Sequence, residues 1–215
     1  MATVNVNSIT INSTSGSQGY GPFYRNNSIV SVDLCYAPWT LNIMNHAFGG
    51  CTNLKNVSGI NQNVTNMYFT FDSCNSLVNA PVIPNSVTSL RYTFYYCNNL
   101  ISAPVIPNSV TNMYDTFNGC SNLVNAPVIP NSVTNMYCTF YDCTKLAGNI
   151  YIHSENITHA RACFWGTNAL LQKNVYIPFK YANNVNTLTY NSFINADYDT
   201  IGTINGVWLK DIATL

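Results

Sequence analysis

A phenylalanine returns every 23 residues, at Phe48, Phe71, Phe94, Phe117 and Phe140, with Phe164 one residue late. Three residues after each of the first five stands a cysteine (Cys51, Cys74, Cys97, Cys120, Cys143), and three further on a leucine (Leu54, Leu77, Leu100, Leu123, Leu146). Upstream run Met44, Met67, Leu90, Met113 and Met136, and before those Leu41, Val64, Val87, Val110 and Val133. A single unit of this length cannot enclose its own apolar side. A fixed period therefore predicts stacked coils that share one continuous core.

The inward set of one coil reads Leu123, Ala126, Val128, Val133, Met136, Phe140 and Cys143. Spacings of two and three, without a 3.6-residue recurrence, predict short strands joined by tight corners rather than helices. The phrase Ala-Pro-Val-Ile-Pro occurs three times, at residues 80–84, 103–107 and 126–130. Proline has no N–H to give to a ladder, so these registers are expected at corners or extended arches. The following Asn-Ser-Val-Thr-Asn-Met reads as a second strand with Val and Met inward.

Five of the eight cysteines share one register, so regular stacking superposes them. Coils about 4.8 Å apart would allow a disulfide by Cα distance. Stacked side chains point the same way, however, so the column is expected to be reduced, buried thiols. Cys35, Cys138 and Cys163 lie off it.

The repeat divides the chain into an N-terminal cap (1–40), a solenoid (41–172) and a C-terminal cap (173–215). In the first, Val4, Val6, Ile9 and Ile11 suggest a strand and Ile29–Leu34 another, while Tyr20, Phe23, Tyr24, Tyr36 and Trp39 could plug the open end. In the last, residues 187–197 read as a short helix and 206–209 as a closing strand.

Linked as Ile-Pro-Asn-Ser-Val-Thr-(Asn/Ser)-(Met/Leu)…Phe-x-x-Cys-x-x-Leu, the motif resembles the BspA-like leucine-rich repeat over roughly residues 41–180. The resemblance implies a mainly β solenoid of leucine-rich-repeat type, with a short parallel strand from each coil. It also implies a binding or adhesion scaffold of the kind found on bacterial surface proteins, in some protists and in phage-encoded proteins. It brings no catalytic residues. Ala-Pro stands here where the family usually has a β-branched residue followed by Thr.

Charged residues make up 7% of the chain and the formal net charge is zero, so no basic patch is available for a row of phosphates and nucleic acid is not expected as a partner. No apolar run approaches the ~20 residues of a membrane span, and none resembles a secretory signal. Delivery by assembly into a virus particle is one route consistent with that; a cytoplasmic location stays open. No phosphate-binding loop, nucleophile elbow or paired zinc cysteines occur. The densest cluster, His153-x-Glu155-x-x-x-His159-x-x-x-Cys163, would gather ligands only on a helix. Asp72, Asp115 and Asp142 fall in two registers, unlike carboxylates facing across a cleft. The expectation is a protein that is not an enzyme and needs no cofactor.

Positions that vary from coil to coil are free to meet a partner. They cluster around the phenylalanine: Tyr68, Arg91, Tyr114, Tyr137 and Arg161 three residues before it, Tyr92 two before, and Tyr95, Tyr96, Tyr141 and Trp165 just after. Tyr and Arg are enriched at binding hot spots, and aromatic faces suit sugar rings. They can equally form a stabilising ladder. Two functions follow. One is a non-catalytic module binding a glycan or surface protein through solvent-exposed tyrosines, outside a cell or on a virion. The other is a virion-associated or self-assembling component, such as part of a phage head or tail fibre, with the stripe as its oligomer contact.

Overall fold

The computed structural model describes residues 3–5, 21, 23–35, 43–167, 174–177 and 208–211. Among them there is no helix, and every strand pairing is parallel. Strands β1 (Thr3–Asn5), β2 (Ser31–Asp33) and β3 (Asn56–Ser58) form one three-stranded sheet in that order. Strands β4 (Ile150–Tyr151), β5 (Asn174–Ile177) and β6 (Trp208–Asp211) form another.

Proline decides where strands appear. Between the two sheets lie the coils with Ala-Pro-Val-Ile-Pro, and there pairing on this side shrinks to single bridges, Asn79↔Ser102↔Asn125. Where Asn149-Ile-Tyr-Ile replaces the proline motif, β4 and β5 pair at Ile150↔Val175 and Tyr151↔Tyr176. Each proline withholds one N–H from the ladder and locks its own φ, so stacked prolines interrupt every coil at the same place.

The expected second strand, Asn-Ser-Val-Thr-Asn-Met, is likewise reduced to one bridge per coil, Asn66↔Ser89↔Asn112↔Asn135. Turns close on both sides of it: Val87 N–H donates to Pro84 C=O (3.1 Å), and Thr93 N–H donates to Leu90 C=O (3.0 Å). Too few extended residues remain between them for a longer ladder.

The side bearing the phenylalanines is built from tandem turns. Thr70 N–H donates to Met67 C=O (3.1 Å) and Cys74 N–H to Phe71 C=O (3.1 Å), while the alternate amides of Phe71 and Ser73 reach the next coil at Thr93 C=O (2.9 Å) and Tyr95 C=O (2.7 Å). Each turn needs a left-handed residue at its third position. Phe69, Ser73, Tyr92, Tyr96, Asp115, Cys138 and Asp142 occupy these places with φ between 50° and 57°. A non-glycine residue there costs about 1 kcal/mol or more. Because every coil repeats the feature, it belongs to the architecture rather than to one site.

The core consists of columns. Phe23, Phe48, Phe71, Phe94, Phe117, Phe140 and Phe164 stack ring on ring with centroids 5.4–5.8 Å apart. Buried threonines form a second column, with Thr93 Oγ1 donating to Met67 C=O (2.8 Å) and Thr116 Oγ1 to Leu90 C=O (2.9 Å). Serines form a third, with Ser86 Oγ donating to Val64 C=O and Ser109 Oγ to Val87 C=O, each at 2.6 Å. These hydroxyls satisfy carbonyl groups that would otherwise be buried underused.

Two expectations need correction. Val128 does not point inward: it is 52% exposed, while Ile129 is fully buried, and Val82/Ile83 and Val105/Ile106 behave alike. The prolines on either side hold the chain in an arch whose inner face falls on the isoleucine. Nor do all of residues 1–40 stand outside the repeat. Phe23 takes the phenylalanine place, stacked on Phe48, and Arg25 takes the left-handed place two residues on, with φ 56°. Its coil is too divergent for the period to reveal. The helix expected at 187–197, Tyr20, Tyr36 and Trp39 lie outside the described residues.

All eight cysteines are free thiols, and the column from Cys51 to Cys143 is buried. Each Sγ donates to the phenylalanine carbonyl one coil back, as Cys97 does to Phe71 at 3.0 Å.

Candidate functional site

The turns carry the variable residues, and their fixed geometry sets aromatic rings one coil apart on the outer surface. Contacts run without a break from Tyr24 to Tyr137. Tyr24 meets His46 edge-on (6.3 Å), His46 stacks on Phe69 (4.8 Å), and Phe69 stacks on Tyr92 (4.3 Å, 3°). Tyr92 is tilted against Tyr114 (5.3 Å), which stacks on Tyr137 (4.7 Å). Tyr68 meets Tyr92 edge-on (5.9 Å); Tyr95 meets Tyr92 (5.3 Å) and Tyr96 (4.5 Å) likewise. Tyr141 and Trp165 stack as a pair further along (6.2 Å).

Arg91 lies on the outside of this ladder. Its guanidinium carbon is 4.7 Å from the Tyr114 centroid, 5.3 Å from Tyr92 and 5.5 Å from Tyr68. A cation over aromatic faces at an exposed position is favourable by about 0.5–1 kcal/mol. Arg161 lies close enough to Tyr137 and Cys138 to favour their ionised forms, against the burial that pushes both upward.

The tyrosines were expected in solvent. Tyr96 is 44% exposed, but Tyr68, Tyr92, Tyr95, Tyr114, Tyr137 and Tyr141 are half-buried against one another. Stacking at one-coil spacing covers each ring with the next, and only edges and hydroxyls stay outside. Burial raises the phenol of Tyr92 far above its ordinary value and that of Tyr95 to about 12, so both are neutral hydrogen-bonding groups at physiological pH.

Beneath the rings sits Asp115, 5% exposed. Its carboxylate accepts from the Asn118 side-chain amide and pairs with the Tyr92 hydroxyl. Burial lifts its pKa above the usual carboxylate range, and the hydrogen bonds and Arg91 partly offset that. Gly119 completes the floor. With φ 75°, it would place a Cβ 2.6 Å from the Tyr96 ring, so glycine is what lets Tyr96 lie across the next coil.

The structure brings Tyr68, Arg91, Tyr92, Tyr95, Tyr96, Tyr114 and Tyr137 into one connected surface. It adds Tyr24, His46 and Phe69, absent from the sequence-based candidates. The sequence does carry a signal for two of them, because His46 and Phe69 occupy the same register as Tyr92. The His153–Cys163 cluster does not converge: His153, Glu155 and His159 are exposed, while Cys163 is buried beside the phenylalanine column. The stripe offers stacking faces, phenol hydroxyls and two guanidinium groups held over rings, Arg91 at its middle and Arg25 over Tyr24 (5.1 Å) at its start.

Parallel coils, a stacked core and an aromatic outer surface define a mainly β leucine-rich-repeat solenoid. The model of the BspA type leucine rich repeat region matches in six copies, over residues 1–101, 23–147 and 68–200, and the chain belongs to that family. It is similar in structure to the T. pallidum leucine-rich repeat protein TpLRR, with a TM-score of 0.59 and 26% identity over 68% of this chain and 67% of that one. It also shares its fold with a leucine-rich repeat protein from Bacteroides ovatus (TM-score 0.52, 19% identity, 82% of this chain), of which it spans 51%. No curated protein matches the sequence.

Proposed function

We propose that this chain is a non-catalytic recognition module that binds a glycan or a surface protein through the aromatic stripe, outside a cell or on a particle. The observation that carries this reading is the unbroken series of ring contacts from Tyr24 to Tyr137, built on registers that vary while the core registers repeat. In the three coils that share Ala-Pro-Val-Ile-Pro, most of the non-conservative variation falls on this outer strip, which is what a scaffold needs when packing is held and specificity is free to change. Rings already stacked in place lose little side-chain freedom on binding, which favours affinity at modest contact area. Arg91, held over the rings, adds a fixed positive charge at the middle of the stripe.

The test is a glycan array run alongside a pull-down from cell-surface extracts. Binding in either, lost when Arg91 and Tyr96 are replaced, supports the reading. Silence in both sinks it.

A further inference from the structure

Apart from Tyr96, every exposed large hydrophobic among the described residues lies on the Ala-Pro-Val-Ile-Pro side of the coil, away from the tyrosines. Val82, Val105 and Val128 are 84%, 87% and 52% exposed; Val78, Ile101 and Val124, four residues earlier in each coil, are 40%, 47% and 39% exposed. From this face we infer a docking surface for a second copy of the chain, the two copies related by a two-fold axis.

Three features select that occupant. The first is charge. Residues 78–131 contain two charged side chains, Arg91 and Asp115, and both belong to the tyrosine stripe. The valine face thus carries no Asp, Glu, Lys or Arg. Its one titratable neighbour among the described residues is the exposed His153 at the edge of the Val105–Val128 groove, so the face matches a neutral apolar counterface. Among the described residues, the chain's own surface supplies one such face, this one.

The second is shape. Val82, Val105 and Val128 stand as ribs one coil apart. Grooves run between them, one lined by Ala80, Pro81, Ile83 and Pro104, the next by Ala103, Pro104, Ile106 and Pro127. A surface ribbed at one period meshes with a copy of itself shifted by half that period, as identical side chains do when sheets interdigitate. An unrelated partner would have no reason to share the period. A two-fold operator uses the same patch on both copies and closes at two.

The third is size. The six side chains together expose roughly 500 Å² of apolar surface, at the upper end of what a monomer leaves contiguous. With the flanking Asn79, Ser102 and Asn125 the patch approaches the ~800 Å² per partner of a standard interface. The tyrosine stripe lies on a different side of the coil, so pairing leaves both stripes open and makes the dimer bivalent.

Sedimentation equilibrium of the full chain across a concentration series tests the inference, with melting curves run in parallel. The wild type should move from the mass of one chain to that of two. Val82→Asp with Val105→Asp should hold it at one chain, with the melting midpoint that the wild type shows at concentrations where it too is one chain, since both side chains stand in solvent in the single copy. Should the aspartates impair folding, Val82→Asn with Val105→Asn replaces them and should raise the dissociation constant at least tenfold. A wild type that keeps the mass of one chain throughout overturns the inference. So does a folded variant that dimerises as readily as the wild type.

Discussion

The thiol of Cys120 donates to the carbonyl oxygen of Phe94, in the coil before it, at 3.1 Å. The same bond joins Cys74 to Phe48, Cys97 to Phe71 and Cys143 to Phe117. The column that looks like a row of potential disulfides is therefore a row of weak donors, each tying its coil to its neighbour. Burial raises the Cys51 thiol to about 11 and holds Cys74, Cys97, Cys120 and Cys143 far above the ordinary range, keeping them protonated and unreactive.

Thiol counting checks this directly. Cys35 is exposed and the other seven are buried. A thiol reagent should modify one cysteine promptly and the remainder only as the chain unfolds, and intact mass without reductant should equal the fully reduced mass. Prompt reaction of several thiols, or a loss of two hydrogens per pair, would contradict the arrangement.

Phe117 lies between Phe94 and Phe140, 5.6 Å from each, with no solvent exposure. Replacing it with alanine should cost about 3–5 kcal/mol, because the cavity opens in a stack that cannot collapse around it. Chemical denaturation showing a change under about 1 kcal/mol would mean the column contributes little to stability.

The Val-Ile pair offers a test of which side faces in. Ile106 is 5% exposed and Val105 is 87% exposed. Ile106→Ala should cost about 2–4 kcal/mol, while Val105→Ala in the single copy should stay within about 0.5 kcal/mol. Equal costs would show the arch to be rotated from the orientation described.

Acidity should act on Asp115 in an unusual direction. Its folded pKa is raised by burial above the ordinary 3.8, so its neutral form is the one the fold favours. Its stabilising contribution is full below that ordinary value and is lost as pH rises through the folded pKa. Asp72 and Asp142 have the same sign. His46 has the opposite one, since burial lowers its pKa and stability falls as pH drops below 6.5. Comparing Asp115→Asn with wild type isolates the first effect. The variant should melt higher at pH 7, and the gap should narrow with acidification and stop changing below about pH 3.8. A gap independent of pH, or a variant less stable at pH 7, would remove Asp115 from this account.

Stripe residues differ in what they can tell. Tyr92→Ala with Tyr95→Ala removes packing as well as contact surface, because both rings are half-buried in the ladder. Arg91 and Tyr96 stand further out. Arg91→Ala with Tyr96→Ala should lower stability by no more than about 1–2 kcal/mol while costing about 2 kcal/mol or more of partner affinity. Isothermal titration against a ligand from the array, with melting curves beside it, separates the two. Unfolding of the pair variant would make the stripe a packing device, and unchanged affinity would move the site elsewhere.

The columns are legible in the amino-acid order itself because a solenoid repeats its environment: a residue seen every 23 positions meets the same neighbours each time, so one inference about Phe, Cys or Leu holds for all. Proline can be placed at the arches for the same reason, its missing N–H being a property of the residue alone. What the period does not supply is the path of the backbone between the fixed points. Val and Ile are nearly equivalent in hydrophobicity, so nothing in their chemistry says which of two adjacent residues faces in; the arch between the prolines turns Ile83, Ile106 and Ile129 inward. Phe23 follows the same logic from the other direction, since it joins the core by stacking on Phe48 although its local sequence has lost the pattern. The tyrosines are recognisable as a stripe from their registers, but their exposure depends on whether rings one coil apart cover each other. That is a matter of distance and tilt between coils, and only the stacked backbone sets it.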